Sequence, residues 1–475
     1  MPTIFSGLNV ALRALLAHQQ AQLITNHNIA NANTPGYSRQ EAILSPAAPY
    51  TPPAMNRPGM ELQLGAGVSV TNIRRFTLDF FDTRLRTELS ASAEWDERSA
   101  ALRQVQAVLP ESDTTGLGVR LDAFWSAWQG VVSDPTSLAQ RQIVINSGTG
   151  LTQMIQNRYN ALHAARESED QQLVASVNQL NDKAQAVARL NSQIIGAIGA
   201  GDEPNDLLDQ RDVLLDQMSQ LAGVTIHLPG NGDAYVSLGG HIMVAGGQAQ
   251  TLSAVIQNPL SDPMGAPTMH KIIWQSDGSD AGLSSGSLAG ARAARDVDVV
   301  RQMQNLDSLA QGLIAQVNAI HSTAVGLDGT SNAFFIGTGA RDIAVNAVVA
   351  NAPNKVGAAS AAATLPGDAS QALAIAQLSQ SLVMSGGTRT FNSFLADAVA
   401  QLGTDAQRAK VESINHTVVK DALTRQKQSV AGVSLDEEAA RLVQSQRAYE
   451  AAARALTAFD EMADTIINRM GVVGR

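Results

Sequence analysis

Residues 434–470 read SLDEEAARLVQSQRAYEAAARALTAFDEMADTIINRM, and the spacing within this stretch decides the fold. Leu435, Leu442, Tyr449, Leu456, Ala463 and Met470 recur every seven residues, with Ala439, Ala453, Phe459, Ile466 and Ile467 beside them. A seven-residue repeat uninterrupted by Gly or Pro describes one narrow stripe on a long helix. Ser434, with Glu437 three residues on, predicts a capping box at its start. From there to Arg469 the rod spans roughly 54 Å at 1.5 Å per residue. Six stripe positions, each stabilising by about 1.5–3 kcal/mol when buried, forgo on the order of 10 kcal/mol while exposed. That rivals the stability of a whole domain, so the stripe requires a partner.

The opposite end carries a matching pattern. From Phe5 onward, Leu8, Leu12, Leu15, Leu16, Leu23 and Ile29 follow in steps that describe one helical face. The pattern stops at Asn33-Thr34-Pro35-Gly36, where Pro35 pushes Thr34 out of helical geometry and Gly36 tolerates a turn. Asn26, Asn28, Asn31 and Asn33 suit hydrogen bonding to a neighbouring chain better than burial in an apolar core. The two stripes are expected to pair with each other and then to pack against other subunits.

Composition bounds the rest. A chain of 475 residues exceeds one compact core, so two or three domains are expected. Only 16% of residues are charged and 4% aromatic, and the Ala-rich apolar share suits close-packed helices. With 33 basic against 43 acidic residues and no run of Lys and Arg, the chain is not built to hold nucleic acid. The absence of Cys excludes disulfides, thiolate nucleophiles and Cys-ligated metals. No run of eighteen apolar residues predicts a membrane span, and the first residues lack the features of a secretory signal. Composition alone therefore reads as cytoplasmic.

Between the ends, helices are expected over residues 78–110, over a stretch holding Leu121, Phe124, Trp125 and Trp128, and over 137–198. The two Trp residues read as core. After a break at Pro204-Asn205, Asp206 is expected to cap a helix carrying Leu207, Leu208, Leu214, Leu215, Met218 and Leu221. Asp209, Arg211 and Asp212 read there as a solvated face. At Gly223 the apolar period becomes two, through Val224, Ile226, Leu228, Val236 and Leu238, which predicts a small β-domain to about Trp274. Helix returns over 287–321, a second β-like patch covers 333–366, and helices run from about 369 to 428. The expected fold is mainly α with a smaller β-rich insertion. A discontinuous helical bundle takes residues 51–222, 286–330 and 367–429, and a β-rich outer domain takes 223–285 and 331–366. N- and C-terminal helices (1–50 and 430–475) pair as a coiled-coil-like terminal domain.

Chemistry is thinly signalled. Gly282-Leu283-Ser284-Ser285-Gly286 fits the nucleophile-elbow pattern, but polar residues 275–280 separate it from the preceding strand. A serine hydrolase acting through Ser284 is thus the remote alternative. Gly65-Ala66-Gly67 lacks the third Gly of a dinucleotide fingerprint. Eight scattered His residues show no pair at metal-ligand spacing. No catalytic, metal or cofactor site is expected.

The run Asn28-Ile29-Ala30-Asn31-Ala32-Asn33-Thr34-Pro35-Gly36-Tyr37 resembles the N-terminal motif shared by the axial proteins of the bacterial flagellum, and Ser38-Arg39 after it favours the hook-associated branch. Ser429-Val430-Ala431-Gly432-Val433-Ser434-Leu435-Asp436-Glu437-Glu438 is similar to the matching C-terminal motif. Two internal runs narrow the resemblance to the flagellar hook-associated protein 1 family, the first hook–filament junction proteins. One is Pro204-Asn205-Asp206-Leu207-Leu208-Asp209-Gln210-Arg211-Asp212. The other is Gly286-Ser287-Leu288-Ala289-Gly290, followed by a long helix, Asp328-Gly329 and Phe334-Phe335. The resemblance covers nearly the whole chain, with a shorter middle than larger members have.

The resemblance implies a structural protein rather than an enzyme, without a cofactor. It implies cytoplasmic residence before export through the flagellar type III apparatus, then an extracellular place in the flagellum at the hook–filament junction. The implied partners are a ring of like subunits, the hook protein, the second hook–filament junction protein and a flagellar export chaperone. Subunit assembly is expected at Leu8, Leu12, Leu15, Leu23, Asn28, Ile29, Asn31, Asn33, Pro35, Gly36 and Tyr37. Leu435, Leu442, Tyr449, Leu456, Phe459, Ile466 and Met470 are expected to serve assembly and chaperone binding. Another flagellar axial protein, a second junction protein or hook component, is the near alternative.

Overall fold

A helix of 63 residues, α4 (Leu138–Ala200), is the spine of the computed structural model, which describes residues 4–48, 65–111, 114–256 and 269–469. It begins where the Ser137 hydroxyl accepts the Gln140 N–H, and it ends at Gly201, whose φ of +88° lets its N–H reach the carbonyls of Ala197 and Ile198. At 1.5 Å per residue the spine is about 95 Å long, enough to serve two separate cores.

Before α4 come α1 (Ile4–Asn31), the antiparallel ribbon β1 (Gln40–Pro46) and β2 (Val68–Arg75), α2 (Asp79–Val108) and α3 (Leu117–Ser133). After it come α5 (Asn205–Leu221), then β3 (Thr225–His227), β4 (Tyr235–Leu238), β5 (His241–Ala245) and β6 (Gln248–Ala249) in one antiparallel meander. A hairpin of β7 (Leu252–Ile256) and β8 (His270–Trp274) follows. Next are α6 (Ser287–Ala293), one π turn, α7 (Val299–His321), β9 (Phe335–Ile336), β10 (Ala344–Val345), α8 (Ala347–Ala350), α9 (Ser370–Gln377), α10 (Phe391–Ala431) and α11 (Leu435–Asp464). Thr390 and Ser393 form a reciprocal capping box that starts α10. The architecture is mainly helical with a small β insertion, as the periodicity predicts. Among the described residues no helix is long and apolar enough to cross a membrane.

The first core gathers α3, the first half of α4, α7 and α9 around Phe124, Trp128, Phe334, Phe335 and Phe391. Trp125 and Trp128 are core residues, as expected. The second core sets the other half of α4 against α5, α6 and the strands β3 to β8. Residues 331–366 differ from the expectation. They supply only two-residue strands, and Phe334, Phe335, Ile343, Val349 and Val356 are buried in the first core rather than with β3–β8. The Asn318 side chain explains part of this placement: its Oδ1 accepts the N–H groups of Phe334 and Phe335, each at 2.9 Å, which pins the Phe pair to α7. Asp206 does not cap α5, which starts at Asn205 after Pro204.

His321 closes α7 inside the first core. The Gly357 N–H donates to its Nε2 at 2.9 Å, so Nδ1 carries the proton and donates to the Asn332 carbonyl at 2.6 Å. Burial, with the Arg141 charge nearby, pushes its pKa from 6.5 down to about 4. The unfolded imidazole takes a proton first, so this contribution is whole above pH 6.5 and is lost as pH falls toward 4. From His321 alone, stability at pH 5 should be about 2 kcal/mol below that at pH 7.5. Glu169, buried on α4 near Glu97, works the other way: burial and the Glu97 charge raise its pKa to about 7, so its contribution is whole below 4.5 and is lost as pH rises through 7. The two contributions oppose each other between pH 4.5 and 6.5, so urea unfolding should show the stability of His321→Asn falling relative to the parent as pH rises through that range, and that of Glu169→Gln rising relative to it. A His321→Asn profile parallel to the parent chain would remove the buried imidazole from this account.

Candidate subunit-assembly site at the joined chain ends

Helices α1 and α11 pack against each other over most of their length. Asn28 hydrogen-bonds Glu438, and a Cβ placed on Gly7 would come within 2.4 Å of the Phe459 ring. Both pairs of residue numbers sum to 466, so the helices run antiparallel in a single register. Seven-residue steps along that register set Ala14 opposite Ala452 and Ala21 opposite Ser445. Glu438, Ser445 and Ala452 are the buried positions of α11, while α1 buries Ala11, Ala17, Ile24, Thr25 and Asn28. The seam is therefore built mostly of small and polar residues, which let the two backbones approach closely.

At the base of the seam lies a buried polar cluster. The Asn28 amide uses all its capacity: Nδ2 donates to the Gln40 carbonyl at 2.8 Å and to Glu438 Oε2 at 3.0 Å. Its Oδ1 accepts the Gln40 N–H at 3.0 Å and the Tyr37 hydroxyl at 2.8 Å. Asn28 and Glu438 are each 1% exposed. Glu438 is held by Arg39, whose Nε lies 3.0 Å from Oε1, and Arg39 also reaches Glu437 at 3.2 Å. The Arg39 N–H donates to the Ala431 carbonyl at 2.8 Å, which ties the turn after α1 to the end of α10. Burial, with Asp206, Asp209 and Glu438 around it, raises the Tyr37 hydroxyl pKa above its usual value, so Tyr37 remains a donor.

The turn of residues 32–37 rests on α5. Gly36 has φ of +80°, and a Cβ there would come within 2.1 Å of Val213 Cγ2, so the position takes Gly for both conformation and space. The Ser38 N–H donates to Asp209 Oδ2 at 2.9 Å, and Gln40 Nε2 donates to Asp206 Oδ1 at 2.9 Å. From Asp209 an alternating row of charges runs along one face of α5. Arg75 bridges Asp209 (2.8 Å) and Asp212 (2.7 Å), and Arg86 bridges Asp212 (3.1 Å) and Asp216 (2.7 Å). Lys427 joins Asp216 (3.6 Å) to Asp82 (2.7 Å). Burial alone would push the Asp212 carboxyl up, but Arg75 and Arg86 outweigh it and hold its pKa below the usual value. The row clamps β2, α2 and α10 onto α5.

These placements revise the expected site. Asp209 and Arg211 are buried rather than solvated, because their partners come from distant segments; Arg211 donates to the Gly232 carbonyl at 2.7 Å. Asn28 bonds within its own chain, and Asn31 and Thr34 bond each other in the turn. The Ser434 hydroxyl accepts the Glu437 N–H, but the Glu437 carboxylate turns to Arg39 rather than closing the box. Most important, the predicted stripes are not the buried seam. Leu12, Leu16 and Leu23 are 41%, 52% and 63% exposed, and Leu435 and Ile466 are about half exposed. Leu8, Leu15, Leu442, Tyr449, Leu456 and Phe459 are half-buried flanks, Asn33, Pro35 and Gly36 lie on the surface, and Ile29 and Tyr37 are intermediate. Met470 lies outside the described residues. Arg75, Arg86, Gln40 and Lys427 were not foreseen; the spacing of Asp209, Asp212 and Asp216 on one helical face was the signal available for them.

Around Ser284 the glycines serve packing. Gly286, at φ of +86°, lets the chain pass the backbone of Ala222, where a Cβ would stand 2.6 Å away, and the Ser285 hydroxyl pairs with Ser90 at 2.7 Å.

Comparisons with known proteins agree with this layout. A family described as flagellar hook-associated protein FlgK helical domain matches residues 102–335. The families flagella basal body rod protein and flagellar basal body rod FlgEFG protein C-terminal match residues 8–37 and 426–470, the two ends that pair here. Flagellar hook-associated protein 1 of Bacillus subtilis (strain 168) is 28% identical over 508 residues, covering 100% of both chains. That of Escherichia coli (strain K12) is 24% identical and covers 98% of this chain and 99% of its own. The fold is similar to the structure of the flagellar hook junction protein FlgK from Burkholderia pseudomallei, with a TM-score of 0.65 and 17% identity over 74% of this chain and 100% of that one.

Proposed function

Because the chain belongs to the flagellar hook-associated protein 1 family, we propose that it is a structural subunit of the bacterial flagellum that forms the junction between hook and filament. It leaves the cytoplasm through the flagellar type III apparatus and joins like subunits in a ring. The hook protein lies on one side of that ring and the second junction protein on the other. The unit of β3 to β8 faces outward. One observation carries the reading: the chain ends pair through small and polar residues while Leu12, Leu16, Leu23, Leu435, Val443, Ile466 and Ile467 remain on the outside. A pair that leaves its bulky residues outward is suited to bury them against further copies.

Purified chain mixed with isolated hooks that lack junction proteins should co-sediment to saturation, whereas a chain truncated after Gly432 should stay in solution. If the full chain also stays in solution, the junction reading falls. Before export the C-terminal stripe needs cover, and a cytoplasmic export chaperone supplies it. The double change Leu442→Asp and Leu456→Asp should abolish chaperone binding in calorimetry; unchanged affinity would remove the stripe as its site.

A further inference from the structure

We propose that the buried Asn28–Glu438–Arg39 cluster sets the register of the α1–α11 pair and its seat on the body. Apolar packing discriminates only weakly between registers, since Ile24 is the one large apolar side chain that α1 buries among the described residues. Along the seam, Ala14 and Ala21 oppose Ala452 and Ser445, and side chains so small fit about as well one turn up or down. The bulky residues Leu12, Leu16 and Leu23 lie outside the seam. Gly7 makes room for Phe459, whose contact is made by ring atoms at the far end of a half-buried side chain.

The cluster does choose. A shift by one turn takes Glu438 away from both Asn28 and Arg39, leaving a carboxylate that is 1% exposed without its hydrogen-bond donor and without its ion-pair partner. It also breaks an amide whose donor and acceptor sides are both used. Fixing one register at some expense of stability is the best-attested role of a buried polar group in paired helices. Arg39 donates its N–H to Ala431, so the residue that holds Glu438 also holds the end of α10. The inference concerns the free chain and stands whether or not the subunit occupies the proposed junction.

The native chain has no Cys, so introduced pairs report register without interference. In the full chain, Ala14→Cys is combined in turn with Ala452→Cys, Ala448→Cys or Ala455→Cys and oxidised at high dilution. With the cluster intact, the 14–452 disulfide should dominate. In the Asn28→Leu/Glu438→Leu background the 14–448 and 14–455 disulfides should rise roughly tenfold relative to it, which corresponds to about 1.4 kcal/mol of lost discrimination. Circular dichroism should show the helix content retained. Unchanged dominance of 14–452 in that background overturns the proposal. If the Leu pair loses helix content, Asn28→Ala, which removes the amide without adding bulk, carries the same expectation, and unchanged dominance there overturns it equally.

Discussion

Asp212→Ala should lower the stability of the chain by about 3–5 kcal/mol, the usual cost of removing one partner from a buried ion pair. The carboxylate accepts from Arg75 and from Arg86, at 2.7 and 3.1 Å, and both guanidiniums are largely buried. Its removal leaves two neighbouring cations with one carboxylate fewer between them, and they repel each other as well as losing solvation. The loss should appear as a lower urea midpoint. Arg74→Ala is the control: the Arg74 side chain is 54% exposed in its pair with Glu41, and such surface pairs contribute at most about 1 kcal/mol. If Asp212→Ala costs no more than Arg74→Ala, the row along α5 is not what holds β2 and α2 on that helix.

The second large effect is on assembly and leaves folding alone. Leu16→Asp with Leu23→Asp should change the stability of the free chain by about 0.5 kcal/mol or less for each substitution, because both side chains already stand half or more in solvent. Hook binding should respond very differently. Burying the exposed half or more of each of these two leucines against a neighbour stabilises by about 1.7–3.5 kcal/mol in total, so losing them should weaken binding at least roughly twentyfold. Sedimentation with isolated hooks and urea unfolding of the same preparation measure the two quantities side by side. A variant that folds and still binds as tightly as the parent would take the outward leucines out of the assembly surface.

Most helices were legible in the sequence because their signals are local. Ser137 begins α4, Pro204 separates it from α5, and Ser434 begins α11. The pairing of the ends was legible as well, but its phase was not. Bulky residues mark the stripe at 435, 442, 449 and 456, whereas the buried seam lies three residues along at 438, 445 and 452. Two helices of one chain approach closely through small side chains, and the large ones are left over for other contacts. Periodicity finds the spacing of a stripe but does not say whether it faces its own chain or another.

The row on α5 failed for a different reason. Asp209, Asp212 and Asp216 look the same in sequence whether they meet water or cations. The partners that decide it are Arg75 and Arg86 far upstream and Lys427 far downstream. Long-range pairing of this kind leaves no local trace. The segment 331–366 was misplaced because sparse apolar residues suggested strands. What holds it are single anchors, Phe334, Phe335 and Val356, each buried among helices.

The most direct test of the account is high-resolution imaging of isolated hooks capped with the purified chain. The account predicts a limited layer of subunits at the hook tip, with α1–α11 pairs innermost, Asn28 opposite Glu438, and Leu16 and Leu23 covered by neighbouring copies. A layer held together through other surfaces, with those leucines still in solvent or α1 parted from α11, would contradict it, as would hook tips that remain bare.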